Sequence, residues 1–269
     1  MLQYSETGTK VLSQGDPRPV ELVNDAGASF FVLSCEHAGR AVPQSLGDMG
    51  VAPVEMARHI AYDIGAEEVS RRLSRILDAP LVLQRYSRLV IDCNRPFTAP
   101  DCMPAVSDGT PVPANAGLTE RARRQRFEEI HQPFHEALAR LLDRRGEAGM
   151  TTILVSVHSF TPRLLGGPER PWDIGVLSNR DGSFAGRFLA ILQARHPEFK
   201  SAHNEPYVVD DASDYTIPVH GEARGLPHLL LEIRNDLIAD EAGQSRWAEI
   251  VADTLVAAAT ETKGNINGR

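Results

Sequence analysis

Cysteine is scarce in this chain: Cys35, Cys93 and Cys102 are all there is among 269 residues, and no two of them form a CxxC pair. An odd number cannot be fully paired, and the spacing offers neither a redox motif nor a zinc-thiolate site, so the three read as reduced thiols. Basic residues are also in deficit. Lys and Arg number 28 against 36 Asp and Glu, a net charge of -8, which argues against binding a phosphate backbone and so against a nucleic-acid partner. No apolar run reaches the roughly 18 residues of a membrane helix, and the first residues lack a basic segment followed by an apolar one. The expectation is a cytoplasmic protein with no membrane partner. What is there, 42% hydrophobic and 24% charged residues, is an ordinary water-soluble composition, long enough for one large α/β domain.

Residues 1–27 are polar and broken by Gly and Pro, and read as an N-terminal arm; residues 28–262 read as a single α/β domain, and the tail Gly264–Arg269 as frayed. Apolar runs too short for helices mark candidate buried strands at Ser29–Cys35, Ala79–Gln84, Arg88–Cys93, Thr151–Val157, Asp173–Ser178 and Pro227–Ile233. Between them lie helical periodicities. The strongest is Thr119–Arg145, with Phe127, Ile130, Phe134, Leu138 and Leu141 at steps of three and four and Thr119 as N-cap. Weaker ones cover Ala66–Leu77, Phe184–Arg195 and Trp247–Ala259. The alternation predicts an α/β fold with a mostly parallel or mixed sheet flanked by helices. Ala99–Gly117, rich in Pro and Gly, reads as a long loop.

Several of these runs end at residues able to do chemistry: Glu36-His37, His158-Ser159, Asn94-Arg95, and Glu232 followed by Arg234. Open α/β sheets bind ligands beyond the carboxyl ends of their strands, so residues distant in sequence can converge there. Two neutral imidazoles and a carboxylate form a common zinc set with one position left for water. Zinc makes that water more acidic, and a nearby carboxylate can take its proton; Glu232 is the candidate base, the alternative being a salt bridge to Arg234 or another Arg. Asn94 and Arg95 suit a substrate carboxylate, since the guanidinium fork matches it bidentately. Arg88 is placed to polarise a carbonyl oxygen. Asp92 reads as a brace for one of these arginines. The remaining histidines, His59, His131, His135, His196, His203 and His228, read as surface or helix-packing residues, and Cys35 and Cys93 as packing beside the site.

Taken together and in this order, SCEHAG, AYDIGAEEV, SRLVIDCNRPF, VSVHSF, NEPY and LLLEIRND resemble the N-formylglutamate amidohydrolase family over about residues 29–240. The pattern is also distantly similar to zinc carboxypeptidases and aspartoacylase, which implies a zinc-carboxypeptidase-like (phosphorylase/hydrolase-like) fold. The resemblance implies one divalent metal, zinc, on His37 and His158, with Glu232 as general base, Asn94 and Arg95 on the substrate carboxylate and Arg88 on the scissile carbonyl. The carboxypeptidase pattern has a Glu three residues after the first His, where this chain has Arg40. The third ligand is therefore open between Asp63, the first choice, and Glu36; Asp63 could instead cap the helix starting near Gly65. The resemblance also places Asn204, Tyr207 and His220 at the substrate pocket, although turn formation explains Asn204 nearly as well. The reaction implied is hydrolysis of an N-formyl or N-acyl amino acid, with N-formylglutamate the namesake and histidine catabolism the context. Two other classes compete: a metal-free hydrolase using Ser159 or Cys35, which lacks a GxSxG elbow, and a non-catalytic carboxylate-binding protein.

Overall fold

The computed structural model describes residues 10–266, with side chains to residue 260. Seven strands form one mixed sheet in the order β1-β3-β2-β6-β9-β7-β8. In chain order they are β1 (Val20–Val23), β2 (Phe31–Cys35), β3 (Leu81–Gln84), β6 (Ile153–Phe160), β7 (Ile174–Leu177), β8 (Ser201–His203) and β9 (His228–Arg234), while β4 (Val106–Ser107) and β5 (Thr110–Pro111) make a separate small hairpin. The central pairs β3-β2, β2-β6 and β6-β9 are parallel; β1 at one edge and the β7-β9 pair are antiparallel. Part of the segment read as an arm is therefore an edge strand. The central strands are buried on both faces, which is why they read as unbroken apolar runs.

Helices cover both faces. α2 (Ala66–Leu77), α5 (Ser183–Arg195) and α6 (Glu241–Ile266) pack on one side with a core of Val69, Leu73, Phe188, Trp247 and Leu255; α1 (Pro53–Met56) is a single turn. α6 extends well beyond the periodic stretch and carries Gly264–Ile266, read as frayed; Asn267–Arg269 of that tail lie outside the described residues. α2 starts after Gly65, whose φ of 79° and close approach to the Ile238 carbonyl exclude a side chain. Thr119 caps the helix on the other face, accepting from the Ala122 amide at 3.2 Å. That helix is not uniform: α3 (Glu120–Arg126) passes through a π-helical turn (Phe127–His131) into α4 (Gln132–Glu147). Pro133 has no amide hydrogen to donate back one α-turn, and the Gln132 amide reaches Phe127, five residues back.

Arg88–Cys93 is not a strand. Its apolar side chains fill a second core with Phe134 and Leu138, and its amides go elsewhere: Arg88 donates to Ala61, Val90 to Ser87 and Asp92 to Cys102. Burial explains the apolar run; both flanks of β3, the strand just before it in the chain, are taken by β1 and β2. Two other expectations differ in detail. His158 lies inside β6, since that strand continues to Phe160, and the Ala99–Gly117 loop carries the β4-β5 hairpin.

Candidate active site

Three strands and the Arg88–Arg95 segment deliver their polar residues to one cavity of about 230 Å³, lined by His37, Arg88, Asn94, Arg95, His158 and Glu232 among others. His37 follows the end of β2. His158 and Glu232 are direct partners across the parallel β6-β9 pair, so their side chains leave the same face of the sheet side by side.

His37, His158 and Asp63 form a closed triangle. The His37 and His158 Nδ1 atoms are 3.1 Å apart, and Asp63 Oδ2 lies 2.9 Å from His158 Nδ1 and 3.3 Å from His37 Nδ1. All three are nearly fully buried. A carboxylate behind each ring fixes it: His37 Nε2 donates to Asp92 Oδ1 at 2.7 Å, and His158 Nε2 lies 2.9 Å from Glu36 Oε2. With the Nε2 protons turned towards those carboxylates, the Nδ1 lone pairs face Asp63 and each other. Three mutually facing acceptors call for a cation, and tetrahedral zinc with ligands at about 2.0–2.1 Å needs donors at about this spacing. The donor set fits a divalent metal. Asp63 does not cap α2, whose N-cap Gly65 makes no side-chain bond, and Glu36 stands behind a ligand; Asp63 completes the group.

Charge in the site follows from burial set against these contacts. Burial alone would raise the Asp63 carboxyl, but when protons occupy Nδ1 of the two rings as well, the His37 charge and bonds from His158 and His37 hold it far below the carboxylate range. Glu232 is the opposite case: burial pushes it up to about 8, the His158 charge opposing and the Asp63 charge adding. Its Oε2 has no hydrogen-bond partner, and Arg234 is spent on Asp173 and Asp236, so Glu232 is no salt-bridge strut. Arg88 spans the ligand and its brace, with Nη1 3.3 Å from Asp63 Oδ1 and both Nε and Nη2 on Asp92 Oδ2.

Asn94 and Arg95 are held from below by a relay of His131 and His135, expected as packing, and His220, expected at the substrate pocket. The His131 Nε2 donates to the Arg95 carbonyl at 3.0 Å, and the His135 Nε2 to the Cys93 carbonyl at 2.7 Å. Because carbonyls only accept, both rings carry the proton on Nε2, and His135 Nδ1 accepts from His220 Nε2 at 3.0 Å. Burial lowers His131 and His220 to about 4 and His135 further, so the relay is neutral. From above, Asn94 Oδ1 accepts from the Tyr215 and Thr216 amides and its Nδ2 donates to Asp214, while Arg95 reaches the Ser213 carbonyl at 2.6 Å and Asp101 at 2.8 Å. The i, i+4 spacing of His131 and His135 beside Phe134 and Leu138 was the available sign that both face inward. His228 is buried too, its Nδ1 on the Leu226 carbonyl.

Of the residues expected around the pocket, Tyr207 lines it, whereas Asn204 and His220 do not. Asn204 builds the turn: its amide donates to Val176 and its side chain accepts from the Ser178 amide, so the chain crosses β7 where Gly175 lets the Glu205 carbonyl pack against the backbone. Tyr207 reaches the cavity as a result. His220 stacks on His135 inside the relay. The Ser159 hydroxyl donates to the Ile64 carbonyl at 2.8 Å, and burial pushes the Cys35 thiol well above its ordinary range, so neither is set up as a nucleophile.

Residues 29–239 match the family model described as N-formylglutamate amidohydrolase. A gene product of Agrobacterium tumefaciens with a solved crystal structure is 34% identical, with a TM-score of 0.90 over 94% of this chain and 100% of its own. An N-formylglutamate amidohydrolase from Ralstonia eutropha is 19% identical, with a TM-score of 0.62 over 92% of this chain and 100% of its own, a likeness of fold. No match was found among curated proteins.

Proposed function

We propose that this chain, which belongs to the N-formylglutamate amidohydrolase family, hydrolyses the amide bond of an N-formyl or N-acyl amino acid, with zinc held by His37, Asp63 and His158. One observation carries the reading: a buried triangle of two Nδ1 atoms and a carboxylate oxygen sits beside an unpartnered Glu232 in a cavity with two arginines. The bound metal supplies Lewis acidity towards the amide carbonyl and the attacking water.

The chain's own residues supply the rest. Glu232 takes the proton of the water as it adds to the carbonyl carbon, and returns it to the nitrogen as the C–N bond breaks. Burial and the neighbouring Asp63 charge make this carboxylate a stronger base than an exposed one. Arg88 faces the cavity from the triangle's edge and stabilises charge growing on the carbonyl oxygen. Arg95, with Asn94 beside it, meets the substrate carboxylate, and the histidine relay keeps that segment in place.

N-formylglutamate, giving formate and glutamate, is the first substrate to test, with histidine catabolism in the cytoplasm as the setting. Among the described residues no helix is long and apolar enough to cross a membrane. Zinc-loaded protein is incubated with N-formyl-L-glutamate and glutamate release is followed. Release that stops on chelation and returns with zinc supports the reading; no release with any N-acyl amino acid overturns it.

A further inference from the structure

A second chamber of about 340 Å³ adjoins the first, and Arg88 and Tyr207 line both, so these two side chains form the divide. Arg170 holds Tyr207 from outside, with Nη1 2.9 Å from its hydroxyl. The chambers differ in chemistry. The first is ringed mainly by histidine, arginine and carboxylate groups, while the second sets a run of apolar residues, Ile60, Leu89, Pro104, Val106 and Leu164, beside His59, Ser107 and three carboxylates. Its carboxylates are already matched: Asp92 by Arg88, Asp101 by Arg95 and Asp108 by Arg58.

We infer that the second chamber takes the acyl end of the substrate, and that the enzyme accepts linear apolar acyl groups longer than formyl. This rests on the amidohydrolase reading of the first chamber. Direction follows from charge. A substrate carboxylate entering the second chamber would face Asp92, Asp101 and Asp108, whereas in the first Arg95, although tied to Asp101 through Nε and to the Ser213 carbonyl through Nη1, keeps Nη2 for it. The end of an N-acyl amino acid without a carboxylate is the acyl chain, and the apolar walls suit it. Burying each added methylene improves kcat/KM by roughly fourfold, up to the length the chamber holds.

The test compares N-formyl-, N-acetyl-, N-butyryl- and N-hexanoyl-L-glutamate on zinc-loaded wild type and on Leu164→Trp, which adds bulk to the chamber's apolar lining. Kd is measured by calorimetry beside kcat/KM, and Val106→Trp serves as a second filling variant should the first fold poorly. The expected result is kcat/KM rising along the series in wild type, with the filling variant unchanged on N-formylglutamate and at least tenfold poorer on the hexanoyl compound. A steady fall from formyl onwards in wild type, or an equal loss on all four compounds in the variant, overturns the proposal. If none of the four is hydrolysed, the amidohydrolase reading fails, and binding still decides the chamber: Kd independent of chain length overturns it, and Kd tightening with length only in wild type supports it.

Discussion

Asp92 joins the proposed metal centre to the proposed carbonyl-binding arm, one oxygen taking the Nε2 proton of His37 at 2.7 Å and the other the Arg88 guanidinium at 2.6 Å. The Asn94 amide also donates to it, at 2.9 Å. A carboxylate behind a ligating histidine orients the ring and raises its basicity, and removing one usually weakens metal binding by about 10–100-fold. Asp92→Asn is therefore expected to weaken zinc by that order and to lower kcat even at saturating zinc, because Arg88 loses its anchor. Zinc titration and kinetics on one preparation check both; unchanged zinc affinity would mean that Asp92 only braces Arg88.

Glu232→Gln should keep the metal and lose roughly two to four orders of magnitude in turnover, the usual scale for a general base. Stability separates this from a strut. Glu232 is raised in the folded protein, so the metal-free fold binds its proton more tightly than the unfolded chain does, and stability falls as pH climbs from the ordinary carboxylate range towards about 8. The glutamine has no such cost. The metal-free variant should match wild type near pH 5 and melt a few °C higher at pH 8, a kcal/mol being worth about 2–4 °C at this size. A variant that melts lower at every pH contradicts the assignment.

The fold was legible where burial and periodicity coincide. β2, α2 and β9 lie where their apolar patterns put them, and His37, His158 and Glu232 stood out as polar groups at the ends of or inside apolar strands. Arg88–Cys93 misled because a run buried in an irregular segment looks like a buried strand. His131 and His135 were read as packing, Glu36 as an alternative ligand and His220 as a pocket residue, because their roles are set by contacts between positions distant in sequence, as between Cys93 and His135. The π turn that sets the phase of His131 relative to α4 depends on Pro133 and leaves no mark on a hydrophobic pattern.

His135→Phe keeps the ring stacking but drops the proton given to the Cys93 carbonyl, leaving a buried acceptor unpaired at about 1–3 kcal/mol. The expected outcome is a raised KM for N-acyl amino acids with zinc content unchanged, since the relay carries Asn94 and Arg95 but no ligand. A variant with lost zinc and normal KM would place the relay on the metal side instead.

Arg95→Lys keeps the charge and loses the planar fork. Loss of charge-assisted bonds worth about 1.5–3 kcal/mol predicts a fall of roughly ten- to a hundredfold in kcat/KM for an N-acyl amino acid, and a much smaller fall for the corresponding amide, which lacks the carboxylate. Equal losses on the pair would show that Arg95 merely ties Asp101 to the Ser213 carbonyl.

The central claim is that His37, Asp63 and His158 together hold one divalent metal, and calorimetric titration of chelator-stripped protein with zinc addresses it directly. One tight site per chain is expected in wild type and none in a folded His37→Ala or His158→Ala variant. Zinc bound with equal stoichiometry and affinity by all three proteins, or no site in wild type, would contradict it.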